Sequence, residues 1–469
     1  MTSQTQTSAL TASELTCQYR ARQLSPVDAV QASPSRIESQ DQQVNAFCLV
    51  DTDAALAQAR ASERRWLRGE PQGLLDGVPL AVKDLLLTRG WPTLRGSRAV
   101  DPGQPWEHDA PCVARARAHG AVLVGKTTTP EIGWKGVTDS PLTGVTRNPW
   151  EPSRTAGGSS GGSGAAVALG MVPLALGTDG GGSIRIPASF CGVVGLKPTY
   201  GRIPLWPASP FGTLAHVGPM AWTVEDAALM YSALHGPDPR DPTALPADSS
   251  ARPAALTGPV TGMRVAFSPT LAAAAVDPDV AAAVRAAAHV FESLGAHVEE
   301  TDPGVADPVG CFTVLWYAGA AKSVRMFGAG KLPLIDPGLH DIAGQGAGYT
   351  AVGYLDAAEQ RASLSERMAF FFERYDLLLT PTIPIPPFEA GREVPVGWPH
   401  ERWMSWTPFT YPFNLTQQPA ASVPCGFTSG GLPIALQLVG AKYADDVVLR
   451  AAHAYQVAHP LTDRRPPAL

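Results

Sequence analysis

Three side chains able to take part in acyl transfer stand in unusual settings: Lys83, Ser159 and Ser183. Ser159 lies in the glycine-rich run GGSSGGSG, residues 157–164. Ser183 follows Gly180, Gly181 and Gly182 at the end of LALGTDGGGS. A serine hydroxyl is a weak nucleophile until a neighbouring base takes its proton. Three glycines before a serine let the backbone turn tightly and expose consecutive N–H groups. Donors on Gly180, Gly181, Gly182 and Ser183 would suit an oxyanion developing on an attacked carbonyl. A flexible linker is the other reading of such a run. This run, however, is bounded by LALG and by IRIPASFCGVVGLKP, both apolar enough to be buried.

Lys83 sits in GVPLAVKDLLL. Lysine is rarely buried without a partner or a task. Two readings stay open on the residues alone. One is an edge-strand lysine pointing to solvent. The other is a buried amine whose pKa is lowered until it serves as a base near neutrality.

Two familiar patterns fail on physical grounds. GAVLVGKT (120–127) fits GxxxxGK[ST], but its middle residues want to be a buried strand rather than a loop cradling phosphate. GGSSG (157–161) fits G-x-S-x-G, but the polar EPSRTA before it is no core strand, and no histidine has a telling context. Cys/His or HExxH metal spacing is lacking, and neither metal nor organic cofactor is implied.

The elements that must position these residues alternate along the chain. Ser25-Pro26-Val27-Asp28 predicts a capped helix start. AVLVGK (121–126) and Pro173 to Leu176 predict buried strands. MRVAFS (263–268), a helix opened at Asp277-Pro278 and closed by Gly295, and AHVEE form one β-α-β unit. YDLLLTPT (375–382) reads as another buried strand. AASVPCGF and LPIALQLVG, joined through Ser429-Gly430-Gly431, predict a hairpin. An α/β fold with a mixed sheet covered by helices follows. Two Pro-rich stretches, about 206–261 and 388–406, are expected as irregular surface loops, either ordinary ones or walls of a pocket.

Bulk properties exclude several classes. The 469 residues are 45% hydrophobic and 17% charged, with net charge −6. That is a globular composition without the basic footprint of a nucleic-acid binder. Arg60, Arg64, Arg65 and Arg68, beside Glu63 and Glu70, are expected on a solvated helix face. Six scattered cysteines without CxxC spacing fit a reducing compartment. The polar N-terminus has no signal-peptide pattern, and the apolar stretch Gly164–Gly177 is shorter than the ~20 residues of a membrane span. Cytoplasmic location is the expectation, without membrane or nucleic-acid partners.

Residues 157–202, GGSSGGSGAAVALGMVPLALGTDGGGSIRIPASFCGVVGLKPTYGR, closely resemble the signature of the amidase signature family. DGVPLAVKD, GKTTTPEIGW and the C-terminal FTYPFNLTQQPAASVPCGF with GLPIALQLVG resemble further segments of that family, in order from about residue 10 to 455. The resemblance implies one α/β/α sandwich around a large mixed sheet spanning residues 1–469. Within it, an N-terminal helical segment covers about 10–70, a signature core about 71–235, and a C-terminal part about 260–469. It implies a Ser–cisSer–Lys relay of Ser183, Ser159 and Lys83, with a cis bond between Gly158 and Ser159. It also places Gly133 and Trp134 where family members line the acyl pocket, with Trp206, Trp316 and Trp406 as further wall candidates or simply packing residues. Arg185 belongs to the common signature as a structural residue. Gly180 departs from the usual larger residue, which would loosen the loop or open room beside the oxyanion site.

The activity implied is a serine hydrolase of amides, with carbamates and esters as related substrates, acting on small molecules as a monomer or homodimer. A glutaminase-like subunit of a tRNA-dependent amidotransferase is the rival within the family. Such subunits typically carry SIRQPA where this chain has SIRIPA with Ile186. A non-catalytic binding protein on the same fold is the rival from another class, and it would be expected to lack a member of the relay.

Overall fold

Alternation along the strands decides what each face of the sheet receives. In β2 (Pro79–Lys83), Leu80 and Val82 join the apolar cluster on one face, while Ala81 packs with the cluster on the other. Lys83 has the parity of Ala81 and therefore faces the second side. The computed structural model describes residues 10–247, 256–271 and 274–467.

The remaining strands of the main sheet are β1 (Phe47–Val50), β3 (Val122–Thr127), β4 (Leu174–Asp179), β5 (Val194–Lys197) and β6 (His216–Ala221). The C-terminal part adds β7 (Arg264–Phe267), β8 (His297–Glu300), β9 (Leu377–Pro381), β10 (Ala420–Phe427) and β11 (Pro433–Gly440). They form one 11-stranded sheet in the order β1-β3-β2-β4-β6-β5-β10-β11-β9-β7-β8. β2 runs parallel to β3 and to β4, so all three end at the same edge. The open end of parallel strands is where α/β proteins collect ligands. The rest of the sheet mixes antiparallel pairs with the parallel β9-β7-β8 group.

Helices cover both faces, as expected of an α/β sandwich. Val224–Leu234, Pro278–Ser293 and Asp445–Ala458 supply the cluster that holds Leu80 and Val82. Gly161–Ala168 and Arg185–Cys191 pack on the opposite face with Ala81, Val124 and Ala175. Three further helices, Val309–Phe327, Pro337–Ala347 and Ala351–Arg374, build an aromatic-rich cluster beside the second face.

Most predicted elements stand where the sequence put them. Ser25 caps Pro26–Val44 through a capping box with Asp28. β7, the helix Pro278–Ser293 and β8 form the parallel β-α-β unit, and β10 and β11 form the hairpin. The GAVLVGKT segment is the fully buried β3, in which Lys126 donates to Leu86 O (2.9 Å) and Thr93 Oγ1 (2.8 Å) and pairs with Asp84.

Other expectations need correction. The stretch 206–261 contains β6 and the helix Val224–Leu234, both in the core; residues 248–255 lie outside the described residues. β6 includes Pro219, whose nitrogen cannot donate to a ladder, opposite Leu176 of β4. Of 388–406, the end turns inward: Trp403 and Trp406 are buried. Arg60, Arg64 and Arg68 are exposed, but Arg65 is half-buried and paired with the buried Asp76. All six cysteines are free. No helix among the described residues is long and apolar enough to cross a membrane. The reading of the polar N-terminus falls largely on residues 1–9, outside the described residues.

Candidate active site

Lys83 ends an interior strand, not an edge strand, and is fully buried. Its Nζ lies 2.6 Å from Ser159 Oγ, 2.9 Å from Ser160 Oγ and 2.9 Å from Thr178 Oγ1. All three partners are neutral hydroxyls, and no carboxylate among the described residues forms an ion pair with it. Burial holds the lysine well below its usual range, opposed by the charge of Asp179. A neutral amine at this point has a lone pair for the Ser159 proton.

Ser159 is held by close backbone packing rather than by a flexible glycine run. A Cβ on Gly158 would come within 2.5 Å of Val137 C, and one on Gly161 within 2.4 Å of Thr138 Oγ1. Thr138 Oγ1 in turn donates to Gly157 O (2.8 Å) and accepts from Gly161 N (3.0 Å). The Gly158–Ser159 peptide is cis. No strand leads into this turn, so it is not a nucleophile elbow.

The Ser183 loop is shaped by Asp179, the last residue of β4. The buried Asp179 carboxylate accepts from Gly182 N (2.8 Å), Ile184 N (3.2 Å), Asn414 Nδ2 (2.8 Å) and two nitrogens of Arg185 (2.9 and 3.0 Å). Burial would raise its pKa, but Arg185 with Lys197 and Asn414 holds it well below the usual carboxylate range. Arg185 also donates to Thr410 O, Gln437 Oε1 and Asn414 Oδ1, which fits the structural role expected of it. Ser160 N donates to Ser183 O (3.1 Å), tying the two serine segments together.

Of the four N–H groups expected as oxyanion donors, three remain open to a ligand. Gly182 N–H is taken by Asp179. Among the described residues, nothing accepts from Gly180, Gly181 or Ser183 N–H, and Ser183 Oγ makes no hydrogen bond. Ser183 is 4% exposed.

Gly133 and Trp134 part ways. Gly133 lies beside Ser159: its missing Cβ would be 3.1 Å from Ser159 Oγ and 2.8 Å from Leu85 Cδ1, at φ +75°. The Trp134 ring instead packs under Gly338 of the Pro337–Ala347 helix. The Trp206 ring lies under the Arg240 guanidinium and meets His108 edge-on, and Trp406 stacks on Phe190. Of the predicted tryptophans, Trp316 lies at the loop, where a Cβ on Gly180 would meet its ring at 2.9 Å. Gly180 therefore opens no room, since Trp316 occupies it. Ser160, Thr178 and Asp179 do not stand out in the sequence. Their only local signal is a polar Thr-Asp pair closing an otherwise apolar strand.

The chain matches the family model "Amidase" over residues 28–449. It is 37% identical to the glutamyl-tRNA(Gln) amidotransferase A-subunit of Chloroflexus aggregans, covering 97% of this chain and 98% of that one. It is 36% identical to an acylamidase of Rhodococcus erythropolis over 97% of both. The solved structure of a bacterial aryl acylamidase of the amidase signature family superposes with TM-score 0.89 at 32% identity, covering 97% of both chains.

Proposed function

The chain belongs to the amidase family and is an amide-hydrolysing enzyme, and we propose that it works as a serine hydrolase through an acyl-enzyme on Ser183. The observation that carries this reading is the buried Lys83 amine, 2.6 Å from Ser159 Oγ and, among the described residues, without a carboxylate ion-pair partner.

Lys83 accepts the Ser159 proton, Ser159 accepts that of Ser183, and Ser183 Oγ attacks the acyl carbon. Charge develops on the carbonyl oxygen, which the N–H groups of Gly180, Gly181 and Ser183 receive. The proton returns along the relay to the leaving nitrogen, and the C–N bond breaks. Water activated by the same relay then cleaves the acyl–Ser183 ester.

Neutral, apolar or aromatic amides and anilides are the proposed substrates, with aryl carbamates and esters beside them. The aromatic residues packed around the loop support that choice. The 37% identity to an amidotransferase A-subunit favours a second reading, in which the chain is the glutaminase-like component of a larger enzyme. Ile186 tells against it: where such subunits typically carry Gln, this chain has a buried apolar side chain packed on Gly157 and Gly182.

Chromophore release from a nitroanilide, a nitrophenyl ester and an aryl carbamate tests the proposal on the lone chain. Wild type is expected to cleave the anilide or carbamate, and Ser183→Ala and Lys83→Ala to lose orders of magnitude. A silent lone chain that gains glutaminase activity with partner chains would favour the second reading.

A further inference from the structure

Ile132 is a β-branched residue with a left-handed backbone (φ 46°, ψ 15°), and Gly133 follows it at φ +75°. At isoleucine this conformation is an outlier, and it persists only where the surroundings over-determine it. The main chain of the turn is tied on both sides. Ile132 N donates to Arg95 O (2.7 Å), and Trp134 O accepts from Trp316 Nε1 (3.0 Å). The side chain of Glu131, fully buried, supplies a third tie. Its Oε1 accepts from Ser97 Oγ (2.5 Å) and its Oε2 from Asp336 N (2.5 Å). One carboxyl thus joins the Ser97 loop, the strained turn and the start of the helix Pro337–Ala347, which Asp336 caps through Gly338 N and Leu339 N.

The turn opens an arm, residues 131–139, that meets the Ser159 loop at three places. A Cβ on Gly133 would stand 3.1 Å from Ser159 Oγ, and one on Gly158 would stand 2.5 Å from Val137 C. Thr138 Oγ1 bridges Gly157 O and Gly161 N. Lys135 Nζ fastens the arm to the same helix start, pairing with Asp139 (2.5 Å) and Asp336 (3.2 Å). Because Lys83 Nζ lies 2.6 Å from Ser159 Oγ, a shift of the arm reaches that contact directly.

We propose that Glu131 is a positioning residue for Ser159: by bridging Ser97 and Asp336, its carboxyl holds the strained turn that sets Gly133 against Ser159 Oγ and keeps that hydroxyl in reach of Lys83. The inference rests on the relay reading above. The bridge depends on hydrogen bonding rather than on charge, so glutamine can replace it. A glutamine oxygen accepts from Asp336 N, and its amide N–H donates to Ser97 Oγ, which keeps a lone pair beyond the one taken by Ala99 N.

The test compares Glu131→Ala, Glu131→Gln and Ser97→Ala with wild type and Ser183→Ala. It reads kcat, KM and the pH profile of anilide cleavage, the rate of fluorophosphonate labelling, and the thermal midpoint. Glu131→Ala is expected to lose about 10²-fold in kcat with KM little changed, as misplacement of a reacting group does. Glu131→Gln is expected to recover most of that loss and to leave the pH profile in place. Ser97→Ala removes one leg of the bridge, so kcat should fall by a smaller factor, again without KM; it keeps the test open where Glu131→Ala does not fold. A loss led by KM, an unchanged kcat in Ser97→Ala, or Glu131→Gln as poor as Glu131→Ala would overturn the assignment. So would a pH profile displaced in Glu131→Gln, which would give the residue a charge role. Glu131→Ala at the wild-type rate, with Ser183→Ala silent, sinks this inference alone. A wild type that neither cleaves nor labels, or Ser183→Ala at the wild-type rate, sinks the relay reading and this inference with it.

Discussion

Lys83 Nζ and Ser159 Oγ are 2.6 Å apart in a site where, among the described residues, the lysine has only hydroxyl partners and is fully buried. Retaining a lone buried lysine costs folding free energy, because burial opposes its charged form. The unfolded lysine keeps its proton to high pH, whereas the folded one releases it earlier. Between those two points the unfolded state binds more protons, so stability rises with pH across that window and levels off above it. Lys83→Met should therefore be more stable than wild type at neutral pH and show a flatter stability–pH profile. Its activity should fall by about 10²–10⁴-fold. Urea unfolding from pH 6 to 10, beside anilide turnover, checks both.

The pH–rate profile should show the same group. The neutral amine is the active form, so kcat/KM should rise with pH along a single limb lying well below the ordinary lysine pKa. Lys83→Arg keeps a cation at all these pH values and should lose the limb together with most of the activity. A wild-type profile that falls with rising pH would assign the limb to another group.

Asp179 is predicted to shape the loop rather than to react. It takes the N–H groups of Gly182 and Ile184 while pairing with Arg185. Asp179→Asn leaves Arg185 a buried charge without its counter-ion, which should cost about 3–5 kcal/mol of stability. Residual activity per folded molecule should be low, since the turn carrying Gly180 and Gly181 is released. Calorimetry with active-site titration separates the two effects.

Gly133→Ala should act on the relay from the other side. The new methyl would stand 3.1 Å from Ser159 Oγ and 2.8 Å from Leu85 Cδ1, at φ +75°. The left-handed backbone alone costs about 1–2 kcal/mol for alanine. A fall in kcat with KM little changed is expected, measured on a short acyl anilide.

What is legible in the sequence follows how local its causes are. β2, β3, β7 and β9 are short apolar runs, and the helix starts at Ser25 and Asp277 carry their own caps, so both can be read within a few residues. Ser159 and Ser183 stand out because close packing leaves room only for glycine around them. β6 escapes a local reading because Pro219 sits in a strand paired on both sides, a place where local rules forbid it. The edge-strand reading of Lys83 falls because strand order depends on pairings far along the chain. Trp316 is one tryptophan among eleven until the fold brings it to Gly180. Which N–H groups Asp179 takes and which it leaves to the proposed oxyanion site depends on turn geometry, which GGGS alone does not specify.

The central claim is that Ser183 is the nucleophile and is activated through Ser159 and Lys83. Labelling with a fluorophosphonate, followed by intact-mass measurement and peptide mapping, tests it most directly. Wild type should gain one adduct, on the peptide containing Ser183. Ser183→Ala should gain none, and Ser159→Ala and Lys83→Met should label at rates lower by about 10²-fold or more. An adduct on Ser159 or on a cysteine, or full-rate labelling of Ser183 without Lys83, would contradict the relay.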